Sequence, residues 1–208
     1  MEVTTTAADS VVLPPPRHEG DTSVEEALQE RRSIREYGPK PLTLGQVGQL
    51  LWAAQGISDG QGHRTAPSAG ALYPLEAYLV AGTVEGLDAG VYHYRSRSHT
   101  LSRVLSGDLR QALYRAALEQ RAVRDAPAII VLTAIYERTT GKYGERGLQY
   151  VHMEVGAAAE NFYLQAAALR LGTVFIGAFH DDQIQEVLQL AGDEMPLALL
   201  PVGNVNGQ

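Results

Sequence analysis

The 208-residue chain contains no cysteine. This absence excludes disulfide bonds, thiolate metal sites, iron–sulfur clusters and cysteine nucleophiles. Any oxidation or reduction that the protein carries out must therefore depend on a bound cofactor.

Positive charge is also scarce, because 17 lysines and arginines stand against 24 aspartates and glutamates, for a net charge of -7. This balance disfavours binding to nucleic acid or to an anionic membrane surface. The sequence has no apolar run long enough to span a membrane, and residues 1–10 lack the basic start and apolar run of a signal peptide. We therefore expect a cytoplasmic protein that binds neither nucleic acid nor membranes.

Several common motifs are missing from the sequence. No G-x-G-x-x-G follows a strand pattern, and there is no P-loop and no H-E-x-x-H. The run His152-Met153-Glu154 resembles the first half of a zinc-deaminase motif, but the cysteines of that motif are absent. The run His180-Asp181-Asp182 is more simply explained as a helix cap. We expect no metal site.

The first helices are marked by their capping residues. Ser23 followed by Glu26 predicts a helix from Val24 towards Arg31, and the same spacing at Thr43 predicts a second helix that ends before residue 56. The polar, proline-containing residues before them favour an extended N-terminal arm over residues 1–20. One folded domain is expected over residues 21–208.

The rest of the sequence predicts an α+β domain. Strands are expected at 77–80, 91–94, 128–135, 173–178 and 197–202, and helices at 108–121, at 148–171 and after residue 181 or 182. Apolar residues of the 148–171 helix form two stripes, so this helix is expected to pack both on its own sheet and on a partner chain. The order of elements indicates a three-layer fold, with helices flanking a mixed central sheet and the long helix at a dimer interface.

Four neighbouring residues form a candidate anion site, namely Arg31, Arg32, Ser33 and Arg35. Planar guanidinium groups match phosphate oxygens in bidentate geometry, and a hydroxyl adds a further hydrogen bond. The alternative is a solvated basic patch that faces neighbouring glutamates.

Two loops offer bare backbone to a ligand. The run Pro67-Ser68-Ala69-Gly70-Ala71-Leu72-Tyr73-Pro74 has small residues that let amides approach a planar molecule, and its serine adds a hydroxyl. The alternative for this run is an ordinary tight turn. The run Ile176-Gly177-Ala178-Phe179 is similar, although its glycine could simply end a strand.

Taken in order, these segments resemble the nitroreductase family, and within it the SagB-type dehydrogenase branch. The resemblance covers nearly all of the chain after residue 20. The motifs that carry it are Arg31-Arg32-Ser33-Ile34-Arg35-Glu36-Tyr37, Leu50-Leu51-Trp52-Ala53-Ala54-Gln55-Gly56, Pro67 to Pro74, Gly90-Val91-Tyr92-His93-Tyr94, Lys142-Tyr143-Gly144-Glu145-Arg146, Leu169-Arg170-Leu171-Gly172, Ile176 to Phe179 and Leu200-Pro201-Val202-Gly203.

This resemblance implies an FMN held non-covalently in a pocket between the two chains of a homodimer. The residues that would bind the phosphate, the ribityl chain and the ring edge are Arg31, Arg32, Ser33 and Arg35. The residues that would cover one ring face from the other protomer are Pro67, Ser68, Ala69, Gly70 and Leu72. Gly177 and Ala178 would lie near the N5 edge, and Gly203 would belong to the same cofactor site.

The pair Lys142-Tyr143 resembles a lysine–tyrosine pair that takes part in catalysis in the azoline-oxidising members of this branch. A lysine beside a flavin could have its pKa lowered by desolvation and act as a base, with the tyrosine assisting proton transfer. The preceding run Thr139-Thr140-Gly141 predicts that the pair lies in a loop. The alternative is a solvated lysine next to a packed tyrosine.

The chain departs from the family after Gly203. Many relatives have a lysine or arginine just after the corresponding glycine, where it helps to hold the phosphate. Here the sequence continues with Asn204-Val205-Asn206-Gly207-Gln208.

The leading hypothesis is an FMN-dependent oxidoreductase with hydride transfer at the flavin N5 and a ping-pong mechanism. The substrate is expected to be a small molecule or a peptide. In one version NAD(P)H is the electron donor, and in the other a peptide azoline is oxidised to the azole. A different hypothesis is a non-catalytic, flavin-binding interaction module in a peptide-modifying complex.

Overall fold

The computed structural model describes residues 10–205, which form one seven-stranded sheet with helices on both faces. The strands are β1 (Ser10–Val12), β2 (Leu75–Ala81), β3 (Gly90–Arg95), β4 (Thr100–Ser106), β5 (Ala128–Ile135), β6 (Leu171–Thr173) and β7 (Glu194–Asn204). Their order in the sheet is β1-β4-β3-β2-β5-β7-β6, and all six pairings are antiparallel. The expectation of a mixed sheet is corrected in this respect, because parallel pairing within residues 10–205 is limited to the isolated bridges Ser33–Thr173 and Leu42–Val84.

The helices confirm the α+β class. They are α1 (Val24–Glu30), α2 (Leu44–Gln55), α3 (Arg110–Ala116), α4 (Arg121–Asp125), α5 (Glu137–Tyr143), α6 (Arg146–Ala168) and α7 (Asp181–Leu188). Both predicted capping boxes are present, at Ser23 and at Thr43. The cap of α7 differs from the prediction: the N-cap residue is His180, and Asp181 and Asp182 lie in the first turn, where they complement the helix dipole.

Strand β5 shows why the fold has three layers. Ile130 and Leu132 face a core formed with α2 and α6, whereas Ile129 and Val131 face a second core formed with α3, α4 and α7. A strand buried on both faces needs apolar residues at every position, which accounts for its continuous apolar run. The predicted three-layer arrangement is thereby confirmed.

Some further local features differ from the predictions. The helix expected over residues 108–121 ends at Ala116, because Leu118 and Glu119 adopt positive φ angles before α4 begins at Arg121. Strand β4 was not predicted. The expected strand over 173–178 ends at Thr173, after which Ile176 alone pairs with Leu199.

Part of the expected N-terminal arm packs on the domain. Ser10–Val12 form β1 at the edge of the sheet beside β4, and Leu13 is buried in the core. Residues 1–9 of this arm lie outside the described part of the chain. Within residues 10–205, no helix combines the length and the apolar composition needed to cross a membrane.

Candidate functional site

The segment that follows α1 is fixed beside the segment that follows β6. Ser33 forms a parallel bridge with Thr173, and its hydroxyl lies 3.1 Å from the hydroxyl of Tyr163 on α6. The Tyr163 hydroxyl in turn accepts a hydrogen bond of 2.6 Å from the Phe175 backbone N–H. The helix therefore holds residues 31–35 and residues 173–178 together through one tyrosine.

A basic cavity of about 390 Å³ opens beside this tyrosine. Three guanidinium-bearing residues line it, namely Arg31, Arg32 and Arg170. The Arg31 guanidinium carbon lies 5.3 Å from the centre of the Tyr163 ring, a distance at which a cation is attracted to the ring face. Planar guanidinium groups around one space are suited to an anion such as a phosphate.

The arginines of the predicted anion site do not all line this cavity. Arg31 and Arg32 line the basic cavity, whereas Arg35 is exposed and is not among the residues that line it. The Arg32 guanidinium also donates hydrogen bonds of 2.8 Å and 2.7 Å to the carbonyls of Gln29 and Arg31. These bonds orient its side chain at the end of α1.

The second group of site residues centres on the Pro67–Pro74 loop. A short 3₁₀ helix spans Ala69–Ala71, with Gly70 at a φ of 64°. A Cβ atom at this glycine would lie 2.7 Å from the Tyr143 hydroxyl and 3.0 Å from the Lys142 Nζ. The backbone conformation therefore favours glycine here, and a side chain at this position would displace the ends of these two side chains.

Other members of this loop are oriented by local hydrogen bonds. The Ser68 Oγ accepts a bond of 2.9 Å from the Tyr73 N–H, and the Leu72 N–H is directed at the Ala69 carbonyl. Pro67 and Gly70 are exposed. The loop therefore presents small residues and backbone to its surroundings.

Lys142 and Tyr143 lie in the last turn of helix α5, and their prediction as loop residues was wrong. The helix packs on α6 because Gly147 lets the two backbones approach: a Cβ at this glycine would lie 2.9 Å from the Thr140 Cα. The Tyr143 ring makes an edge contact with the Tyr150 ring, at 5.1 Å between centroids. Lys142 is exposed, and its Nζ lies 5.3 Å from the centre of the Tyr143 ring.

The predicted glycines after β6 and in β7 have different environments. Gly177 and Ala178 are exposed, and the Ala178 carbonyl accepts a bond of 2.8 Å from the Gln120 side chain. Gly203 is buried, and a Cβ there would lie 2.7 Å from Pro127 and 2.9 Å from Tyr37. Packing accounts for this glycine, so its predicted contact with a cofactor gains no support.

A buried acid, Glu154, lies beneath the Pro67–Pro74 loop and was not assigned a role from the sequence. Its side chain is 4% exposed, and its Oε1 has no hydrogen-bond partner within residues 10–205. Burial raises the pKa of the Glu154 carboxyl to about 7, while the Ser68 hydroxyl and the charge of Arg64 act in the opposite direction. A glutamate between Val151 and Ala158, on the buried stripe of α6, was the sequence signal that could have identified it.

The predicted residues therefore form two groups. Ser33 meets Tyr163 in the second half of α6, whereas Ser68, Gly70 and the Lys142–Tyr143 pair meet near Glu154 in its first half. Glu154 and Tyr163 are nine positions apart on α6, or about 14 Å along its axis. No hydrogen bond, ion pair or ring contact within residues 10–205 joins one group directly to the other.

Comparison with known proteins identifies the family of the chain. A family model described as the nitroreductase family matches residues 28–204. A candidate nitroreductase of Methanocaldococcus jannaschii is 47% identical over 183 residues, which cover 88% of this chain and 91% of that protein.

Two solved structures are also similar. The crystal structure of a candidate nitroreductase from Ralstonia eutropha has a TM-score of 0.85 and 31% identity, covering 98% of this chain and 92% of that one. A chain of the E. coli microcin synthetase complex, solved with a truncated microcin precursor bound, has a TM-score of 0.73 and 26% identity, covering 99% and 79%. With a family model that matches most of its length, the chain belongs to the nitroreductase family, whose members are oxidoreductases.

Proposed function

We propose that the protein is an FMN-dependent oxidoreductase of the SagB type that works as a homodimer. The observation that carries this proposal is the contact between Gly70 and the Lys142–Tyr143 pair, which sets an amine and a phenol against a loop of small residues. Such a loop suits a planar ring, and the two polar groups suit proton transfer beside it.

The residues around Ser33 and Tyr163 suit two parts of FMN. The basic cavity, with Arg31 and Arg32, suits the phosphate, and the exposed backbone of Gly177 suits the edge of the ring. When bound, FMN would supply the two-electron chemistry that the side chains of a cysteine-free protein cannot provide. The protein would contribute binding, orientation and the exclusion of water.

A homodimer would bring the two groups to one ring. Since the groups lie about 14 Å apart along α6, the Pro67–Pro74 loop of one protomer could cover a ring held by Ser33 of the other. The stripe of α6 formed by Ala157, Asn161, Leu164 and Ala168 is only half-buried within one chain, as expected of a helix that also packs on a second copy.

The pair Lys142 and Tyr143 would hold and transfer protons. Lys142 is exposed on one chain, so a ring and a partner chain could cover its amine and exclude water from it. Tyr143 is half-buried beside Tyr150, which fixes the position of its hydroxyl. A peptide azoline is one candidate substrate, because the similar microcin synthetase structure contains a bound peptide precursor. A small-molecule acceptor reduced with NAD(P)H is the other.

The test of this proposal is the purified protein itself. It should be yellow, should release FMN rather than FAD on denaturation, and should sediment as a dimer. Loss of the dimer should release the flavin. A colourless protein that takes up no added FMN would rule out the proposed cofactor, and a flavin-loaded monomer would rule out the shared site.

A non-catalytic flavin-binding module is the second candidate function. It is favoured by the uncharged residue next to Gly203, Asn204, whose amide donates to the carbonyls of Lys40 and Pro41, at 2.9 Å and 3.3 Å. Rapid reoxidation of the reduced protein in air, together with bleaching by NAD(P)H or by an azoline peptide, would exclude it.

A further inference from the structure

Arg170 adopts a backbone conformation that is unfavourable for residues other than glycine. It lies between α6 and β6 with a φ of 57°, in the left-handed region. There the Cβ of any residue other than glycine crowds the following carbonyl oxygen. The turn is closed by a hydrogen bond of 2.9 Å from the Arg170 N–H to the Ala167 carbonyl, which a glycine would form equally well. The backbone alone therefore gives no reason for an arginine.

The position of the side chain explains why residue 170 is an arginine. It lines the basic cavity with Arg31 and Arg32, and Glu30 is the only acid among the described residues that line the same space. The Arg31 Nε also lies 4.0 Å from a carboxylate oxygen of Glu160. The three guanidinium groups still outnumber these two acids, so the cavity attracts an anion.

A second cavity could also have used this arginine. Arg170 lines a larger space of about 610 Å³ as well, but the acids that line this space include Glu19, Asp21 and Glu26. An anion would be repelled there, so the basic cavity is the place where Arg170 can act on one. The segment that follows β7 adds no charge to the basic cavity, because the residue of this segment that lines the cavity is Val205.

We propose that Arg170 binds a phosphate monoester, the phosphate of FMN, together with Arg31 and Arg32. This inference rests on the proposed function, because it assigns a residue to one end of the proposed cofactor. Arg170 would be the cation that the residues after Gly203 do not supply.

The variant Arg170→Gly should have two opposite effects. Loss of a charge-assisted contact should raise the Kd of FMN by about tenfold to a hundredfold. Relief of the left-handed conformation should raise the Tm of the apoprotein by about 2–4 °C. Arg170→Ala should weaken FMN binding without raising the Tm, and Arg170→Lys should restore much of the affinity.

Gln189→Gly is a matched control. Gln189 is exposed and also has a positive φ, of 52°, at the end of α7. This variant should raise the Tm in the same way and leave the Kd of FMN unchanged. Riboflavin serves as the second ligand because it lacks the phosphate, and Arg170→Gly should not alter its Kd.

Each result bears on a different claim. Weaker FMN binding with unchanged riboflavin binding supports the inference. Unchanged FMN binding in Arg170→Gly, or an equal loss for FMN and riboflavin, overturns it while leaving the flavin site intact. A wild-type protein that binds neither flavin refutes the proposed function itself.

Discussion

Gly70 and Tyr143 approach so closely that a side chain on the glycine would displace the tyrosine: a Cβ there would lie 2.7 Å from the phenolic oxygen. The two residues are 73 positions apart in sequence. The contact links the loop of small residues to helix α5, so a change in one should displace the other.

Gly70→Ala should therefore reduce turnover by more than backbone strain alone would. The new methyl group would push Tyr143 and Lys142 away from the loop, and small displacements of catalytic groups can reduce rates by about a hundredfold. Gly86→Ala is the control, because Gly86 has a similar φ of 74° and no atom within 4 Å of the added Cβ. Stopped-flow flavin reduction measures both variants. Equal losses in the two would mean that the Gly70–Tyr143 contact does not matter for turnover.

The variants Lys142→Ala and Tyr143→Phe should leave FMN content and dimerisation intact. If these residues act as base and acid, substrate-dependent flavin reduction should fall by about a hundredfold or more. Lys40→Ala, at an exposed lysine, should change nothing. Assays with an azoline peptide and with NADPH, run separately, would identify the affected substrate. A purely structural role predicts that Tyr143→Phe lowers the Tm at normal turnover.

Arg31→Ala should weaken FMN binding more than Arg35→Ala does, because Arg31 lines the basic cavity and Arg35 does not. The loss of one charge-assisted interaction is worth about 1.5–3 kcal/mol. Titration of the apoprotein with FMN measures both, with the exposed Arg97→Ala as control. If Arg35→Ala has the larger effect, the phosphate binds outside this cavity.

Glu154 should make folding stability depend on pH. Burial raises its pKa from 4.5 in the unfolded chain to about 7 in the folded protein, so the unfolded state loses its proton first as the pH rises. The contribution of this group to stability is complete below pH 4.5 and is lost by about pH 7.

The comparison of wild type with Glu154→Gln isolates this effect. The free energy of unfolding of the variant, relative to wild type, should increase by up to about 3 kcal/mol between these two pH values and then remain constant. Urea denaturation across the range measures it, and Glu186→Gln, at an exposed glutamate, should show no such change. A difference that does not vary with pH would mean that Glu154 keeps an ordinary pKa in the folded protein.

Local sequence patterns predicted the features that depend on near neighbours. The capping residues of α1 and α2 act within four positions, and the apolar run of β5 reflects burial of that strand alone. Helix α5 was missed because Thr139, Thr140 and Gly141 have low helix propensity, and its packing on α6 outweighs that preference.

The site depends on contacts that no local pattern contains. Ser33 and Tyr163 are separated by 130 residues, and sequence reasoning identified the serine without its partner. Arg170 lies in a motif that resembles the family, yet nothing in its sequence neighbours indicates that it shares a cavity with Arg31. Such pairs become visible only once the chain is folded.

Helix α6 also limits where residues can be inserted or deleted without disrupting this site. Both groups of site residues are attached to it, at Glu154 and at Tyr163. One residue inserted between these two positions would rotate one group by about 100° about the helix axis and shift it by about 1.5 Å relative to the other. Insertions and deletions should therefore be tolerated in the loop over residues 57–63, where the chain is mostly exposed, and not between residues 154 and 163.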